Sequence, residues 1–344
     1  MKKKPTTIRD LAHRLNISTS TVSRALRDVP DINPETKRAV LDLANELNFQ
    51  PNVIAQSLRT NRTNTVGVVV PEIAMHFFSS AISGIQDEAL KAGYNVMICQ
   101  SNESQQMEKT NLKALIGSRV DGLLVSLSRE TMDYSHFNLL LKNQIPVVFF
   151  DRVYEDLPVS QVMVDDHQGA FQAVEHLYAN GCRRIAHLAG PQNLVISQNR
   201  LLGYIDALKK YNLDRASELV VYCKALKDSA MACTQQLLDL PNPPDAIFAV
   251  NDPVAINAIQ VIRDRGMHIP RDIAIVGFCN EPISGFMEPS LTTVMQPSYE
   301  MGKVAMQLFL DQINDPDNFI PQKRVLPTKL IERNSSKKIE AFKR

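Results

Sequence analysis

No stretch of this chain approaches 18 consecutive apolar residues, so a membrane-spanning helix is not expected. The start, Met1-Lys2-Lys3-Lys4-Pro5, is basic but has no apolar segment behind it, so a secretory signal peptide is not expected either. Cysteine is scarce: Cys99, Cys182, Cys223, Cys233 and Cys279 are odd in number and show no CxxC or zinc spacing. That pattern predicts reduced thiols in a cytoplasmic protein rather than a disulfide framework. No GxGxxG, Walker A, GxSxG or HExxH motif occurs, and the seven histidines do not fall at metal-ligand spacing. A catalytic signature is therefore missing, and neither a metal nor another cofactor is expected. Net charge is nearly absent as well, at +1.

That small total conceals an asymmetry. Residues 1–65 hold 11 Lys/Arg against 6 Asp/Glu, whereas the remaining 279 hold 27 against 31. A basic head on a mildly acidic body fits nucleic-acid contact confined to the head. With 344 residues, 44% of them apolar and 22% charged, the chain has material for two or three globular domains, and extended disorder is not expected.

The head reads as three short helices. Thr6 and Thr7 offer N-capping hydroxyls, and Ile8, Leu11, Ala12 and Leu15 form one apolar face. After the turn Asn16-Ile17-Ser18, Ser18 can cap a second helix over 19–26, in which only Val22, Ala25 and Leu26 are apolar. Its other positions are short hydroxyl side chains and Arg24. A narrow buried seam beside a wide face of small hydrogen-bonding groups suits entry into a DNA major groove. Asn33-Pro34-Glu35 starts a third helix with the stripe Val40, Leu43, Ala44 and Leu47. Together they predict a small all-α helix-turn-helix headpiece.

The order Thr21-Val22-Ser23-Arg24, then Asn48-Phe49-Gln50-Pro51-Asn52, then Ala55-Gln56-Ser57-Leu58 resembles the LacI/GalR family of bacterial transcription regulators. The likeness extends across nearly the whole chain. It implies a sequence-specific regulator, most simply a repressor, whose partners are double-stranded operator DNA, a sugar-like effector and a second copy of itself, with higher assembly left open. Thr19, Ser20 and Arg24 are placed against base edges, Arg24 being able to pair bidentately with guanine. Ser18, Thr21 and Ser23 are placed at phosphates, which position without reading sequence. Thr6, Asn52, Ala55 and Gln56 complete the expected DNA interface. Leu58 is expected to wedge into the minor groove from a short linker helix. For Arg24 a solvated arginine, for Thr19 and Ser20 a cap, and for Leu58 packing on Val53, Ile54 and Ala55 or on the body are the alternatives.

Beyond the linker at 51–64, short apolar strands alternate with amphipathic helices, as Val66 to Val70, Asn95 to Cys99, Gly122 to Val125 and Pro146 to Phe150 show. A second such series runs from about 183 to 278. Strand–helix alternation predicts parallel sheets with helices on both faces, and two series predict two lobes. The resemblance implies an α/β two-lobed, periplasmic-binding-protein-like body over 65–334, used for effector binding and dimerisation. It puts 65–161 and 293–324 in lobe 1 and 162–292 and 325–334 in lobe 2. The headpiece is assigned to 1–50, and a polar, frayed tail to 335–344.

Ligands of parallel sheets sit beyond the carboxyl ends of the strands. Polar residues gather there: Asp151 and Arg152, Asn251 and Asp252, then Asn280 and Glu281. Phe77 and Phe78, after the first strand, offer apolar ring faces. Arg200, read as opening a helix at Asn199, matches the family's effector-binding arginine. For Asp151, Arg152 and Asp252, helix capping or a lobe-to-lobe ion pair stands equally open. Cys279 departs from the Tyr-Asp or Phe-Asp of many family members, and a thiol is a poor acceptor for ligand hydroxyls. The rival readings are a periplasmic solute-binding protein, opposed by the head, and a nucleotide-dependent α/β enzyme, opposed by the missing phosphate loop.

Overall fold

The structure is a computed structural model that describes residues 6–49, 62–223 and 227–337. The expected linker helix and its residues Asn52, Ala55, Gln56 and Leu58 lie outside the described residues.

Two compact units are present, residues 1–63 and 64–344. In the first, α1 (Ile8–Leu15) begins with a reciprocal cap: the Asp10 N–H donates to Thr7 Oγ1 and the Thr7 N–H to Asp10 Oδ2. It ends at Asn16, which adopts φ 52° to turn the chain. Ser18 caps α2 (Thr19–Ala25) by accepting from the Thr21 N–H at 3.0 Å. Asn33 caps α3 (Pro34–Glu46) through the Glu35 N–H at 2.8 Å. Leu11, Ala12, Val22, Ala25, Val40 and Ala44 form the shared core. Leu43 and Leu47 of the expected stripe pack only at its margin.

The second unit contains two six-stranded sheets. Lobe 1 begins with β1 (Thr65–Val70), α4 (His76–Lys91), β2 (Asn95–Gln100), α5 (Gln105–Gly117) and β3 (Gly122–Val125). It continues through α6 (Ser135–Lys142), β4 (Val147–Phe150) and β5 (Ser160–Val164). The chain then builds lobe 2: α7 (Asp166–Ala179), β6 (Ile185–Ala189), α8 (Val195–Lys210), β7 (Val220–Tyr222) and α9 (Lys227–Leu238). After these come β8 (Ala246–Ala249), α10 (Asp252–Asp264), β9 (Ala274–Cys279) and β10 (Thr292–Met295). It returns to lobe 1 for α11 (Ser298–Asn314) and β11 (Lys323–Leu326), and crosses once more for β12 (Lys329–Ile331). Strand order is β11-β5-β4-β3-β1-β2 in lobe 1 and β12-β10-β9-β8-β6-β7 in lobe 2. Every pairing is parallel except β10 with β12.

Pairing corrects the predicted crossings. β5 bonds to β4 and β11, so the first crossing follows Val164 rather than residue 161. β10 bonds to β9, which delays the second until after Met295 rather than 292. β11 bonds to β5, so the third follows Leu326 rather than 324. The tail is also corrected at its start. Ser335 is fully buried, taking the Thr292 N–H at 2.8 Å and donating to the Ile275 carbonyl at 2.6 Å.

Lobe 1 is held chiefly by α4 against α11. A Cβ on Gly84 would collide with the Tyr299 carbonyl, and one on Gly302 with the Ala81 carbonyl, so the two helices touch at backbone distance. Carboxyl ends of both sheets face each other across the cleft described next.

Candidate functional site

On the first unit, α2 buries only Val22 and Ala25. Thr19, Ser20 and Arg24 are exposed, while Thr21 and Ser23 are half-buried. Ser18 Oγ is occupied at the helix start, bonded to the Thr21 N–H and lying 2.6 Å from Ser20 Oγ and 2.8 Å from Thr21 Oγ1. The Ser23 carbonyl accepts from Arg27 Nε at 3.0 Å, and Arg24 is ion-paired with Asp31. Thr6 donates to the Leu47 carbonyl at 3.5 Å and so ties the chain start to the end of α3. The face offered outward is thus two hydroxyls and one guanidinium on a capped helix.

On the second unit, a cavity of about 280 Å³ opens between the lobes. Lobe 1 contributes Met75 after β1, Glu103 after β2, Arg129 after β3 and Arg152 after β4; lobe 2 contributes Leu194, Ser197 and Arg200 after β6 and Asn251 after β8. Glu103 gathers the lobe 1 side. Its carboxylate takes Arg152 Nη1 at 2.6 Å, the Arg129 N–H at 2.8 Å and Arg129 Nη2 at 3.1 Å. Burial opposes its charge, but the two arginines outweigh burial and hold its pKa below the usual range. Arg152 Nε is buried without a hydrogen-bond partner, 3.9 Å from Asp151 Oδ2. Burial lifts the Asp151 carboxyl to about 6 against the pull of Arg152 and Arg200.

Arg200 organises lobe 2. Its Nε and Nη2 meet Asp166 Oδ1 at 2.8 and 2.7 Å, its Nη1 donates to the Val250 carbonyl at 2.7 Å, and it stacks 3.7 Å over the Phe278 ring. A guanidinium has five N–H groups, so one on each terminal nitrogen remains for a ligand among the described residues. Asn251 spends Oδ1 capping Val254 at 3.0 Å and keeps its amide donors. The lobes also touch directly, through Asn193 Nδ2 and the Arg129 carbonyl at 2.7 Å.

Positive-φ backbone marks several strand ends on the cleft side of the sheets. Asn102, Glu103, Asp151, Cys279 and Asn280 all have positive φ, from 51° to 115°, at the carboxyl ends of β2, β4 and β9. Asn and Asp adopt such angles readily, so Glu103 and Cys279 are the two of these five that their surroundings must hold there.

Several expectations change. Arg200 sits in the second turn of α8, which starts at Val195, not at a helix start. Phe77 and Phe78 do not face the cavity: both are buried in the lobe 1 core, edge to face at 5.1 Å, because α4 turns this flank onto the sheet. Phe78 instead lies beneath Arg152, 5.8 Å from its guanidinium. Asp252 is fully buried and occupied, accepting from Thr293 and Ser284 hydroxyls and the Glu281 N–H, so it fixes the loop after β9. Cys279 does not line the cavity, and burial keeps its thiol protonated, well above the ordinary thiol pKa. Arg152, Arg200 and Asn251 do line it, with Asp151 behind. Glu103, Arg129 and Asp166 were missed. The strand-end rule that singled out Arg152 reaches Glu103 and Arg129 equally, but Asp166 opens a helix and becomes legible only through its contact with Arg200.

Among the described residues no helix is long and apolar enough to cross a membrane, and no group of three or more His, Cys, Asp or Glu could hold a metal ion.

Residues 7–52 match the family described as bacterial regulatory proteins, lacI family, and residues 174–336 match a periplasmic binding protein-like domain. The HTH-type transcriptional repressor CytR of Escherichia coli (strain K12) is 34% identical over 331 residues, 96% of each chain. Catabolite control protein A of Priestia megaterium is 33% identical, over 96% of this chain and 99% of its own. Among solved structures, a lac repressor dimer bound to operator and an anti-inducer superposes with TM-score 0.85 at 27% identity, covering 97% of this chain and 99% of that one. The transcriptional regulator CelR in complex with cellobiose superposes with TM-score 0.73 at 32% identity, covering 96% and 99%.

Proposed function

Because the chain belongs to the LacI family of bacterial transcription regulators, we propose that it is a cytoplasmic, non-enzymatic, homodimeric repressor that reads operator DNA with α2 and answers to a small hydroxylated ligand in the cleft between its lobes. The observation that carries the first half is α2 itself, a capped helix whose outward face is Thr19, Ser20 and Arg24. Side chains in the first turn reach base edges first, and Arg24 supplies a donor fork for guanine.

The cleft supports the second half. Arg200 and Arg152 face it from opposite lobes, each held by a carboxylate, so a ligand in the cleft is offered guanidinium donors from both sides. The cellobiose carried by CelR makes a carbohydrate the first class to try. A ligand that binds both lobes favours one lobe arrangement over another by its differential affinity. Asn64, the last residue of the linker, is tied to lobe 1 by its N–H, which donates to Asp121 Oδ2 at 2.9 Å.

Gel-shift titration on the protein's own promoter region, repeated with a panel of sugars and nucleosides, tests both halves. Specific retardation that at least one ligand alters is the expected result. Binding with no preference over random DNA would remove the regulator reading, and an unresponsive panel would count against the carbohydrate assignment.

A further inference from the structure

We propose that Asp31 is a positioning residue for Arg24 that sets its selectivity, disfavouring phosphate contact and favouring a base. This rests on reading Arg24 as a base contact. Arg24 is the only cation of α2, and its Nη2 is paired with Asp31 Oδ2, both side chains about half exposed at 48% and 51%. Local backbone puts Asp31 there. The Val29 N–H bonds back to the Arg24 carbonyl at 3.2 Å, the Ile32 N–H bonds to Val29 at 3.4 Å, and the loop then enters the Asn33 cap of α3. The other acid of this loop, Asp28, is already paired with Lys37 of α3. Asp31 is thus the loop carboxylate turned to the recognition helix.

Asp31 is one of six acids in residues 1–65, and its pairing with the recognition helix gives it a role. Exposed ion pairs are weak, so Asp31 gives up one edge of the guanidinium at little cost when guanine offers two acceptors in plane. A phosphate offers Arg24 mainly attraction of charge, and there the carboxylate brings an opposing charge to the same spot. Asp31 therefore subtracts one cation from non-specific binding while leaving the cognate contact intact.

The test uses the full-length protein with Asp31→Asn, Arg24→Ala and the double variant. Each is titrated against the duplex that wild type selects from a random pool, against single-base changes in it, and against random DNA, over a salt series. Asp31→Asn is expected to tighten random-DNA binding about three- to tenfold and to steepen its salt dependence by about one counterion, while changing affinity for the selected duplex less. Base preference should relax at the same position that Arg24→Ala relaxes, and in the Arg24→Ala background Asp31→Asn should leave that preference unchanged. A purely structural Asp31 would shift all duplexes by one common factor, and that result overturns the proposal. If Arg24→Ala alters no base preference, the base-contact reading and this proposal fall together. If it does and Asp31→Asn does not, the proposal alone falls. Circular dichroism and thermal melting of each variant separate these outcomes from loss of fold.

Discussion

Replacing Arg200 by alanine removes more than a ligand contact, and the size of the extra loss follows from its surroundings. Arg200 is 3% exposed and its partner Asp166 2%, with one carboxylate oxygen shared by Nε and Nη2. Truncating one member strands the other as a buried, uncompensated charge, which costs about 3–5 kcal/mol. Loss of the guanidinium from the Phe278 face adds about 1–2 kcal/mol at a desolvated site. A body of this size then melts on the order of 10 °C lower. Arg200→Ala alone therefore confuses lost ligand binding with a weakened lobe 2. The informative set is Arg200→Ala, Asp166→Asn and Arg200→Met with Asp166→Asn, in which the last pair removes both charges while keeping volume. Urea unfolding followed by circular dichroism should show each single variant strongly destabilised and the double variant well above the sum of the singles. Isothermal titration should show that ligand response is lost in the double variant although the fold survives. A single Arg200→Ala variant losing less than about 1 kcal/mol would refute the buried-pair argument. A double variant that still responds normally to ligand would remove Arg200 from the site.

Asp151→Asn tests the cleft floor through pH, since asparagine also tolerates the φ of 61° found there. The folded pKa of Asp151, about 6, lies above its usual 3.8, so its contribution to stability is full only below pH 3.8 and is lost progressively as pH rises through 6. Wild type should thus gain roughly 2 kcal/mol relative to Asp151→Asn between pH 7 and pH 4; a flat difference across urea melts at three pH values would contradict this. Gly302→Ala should destabilise by about 1–3 kcal/mol or more, because the added methyl meets the Ala81 carbonyl at the α4–α11 contact. An unchanged melting temperature would show that the helices part easily. Leu58→Ala should reduce operator affinity and bending while sparing non-specific binding, as an apolar wedge gains only where DNA kinks. Equal bending of circularly permuted fragments by variant and wild type would end that idea.

Local information was strongest where one helix turn or one strand end decides the outcome. The caps at Thr7, Ser18 and Asn33, the apolar face of α1 and the sparse seam of α2 are all readable from spacing, because capping and amphipathicity act over three or four residues. Strand–helix alternation likewise predicts two parallel sheets, and the strand-end rule led to Arg152 and Asn251. Position along the chain could not say which sheet takes β5, β10 or β11. These strands are short and their allegiance rests on partners distant in sequence, such as Val164 with Leu326. Nor could it tell a ligand contact from a buried strut. Asp252 and Arg152 both follow strands, yet Asp252 is consumed by Ser284 and Thr293 while Arg152 opens to the cavity. Phe77 and Phe78 were drawn into the core for the same reason, since the rotation of α4 is set by its close contact with α11. Periodicity within a segment determines which residues share a face; only packing between segments decides whether that face meets solvent, a ligand or another part of the chain.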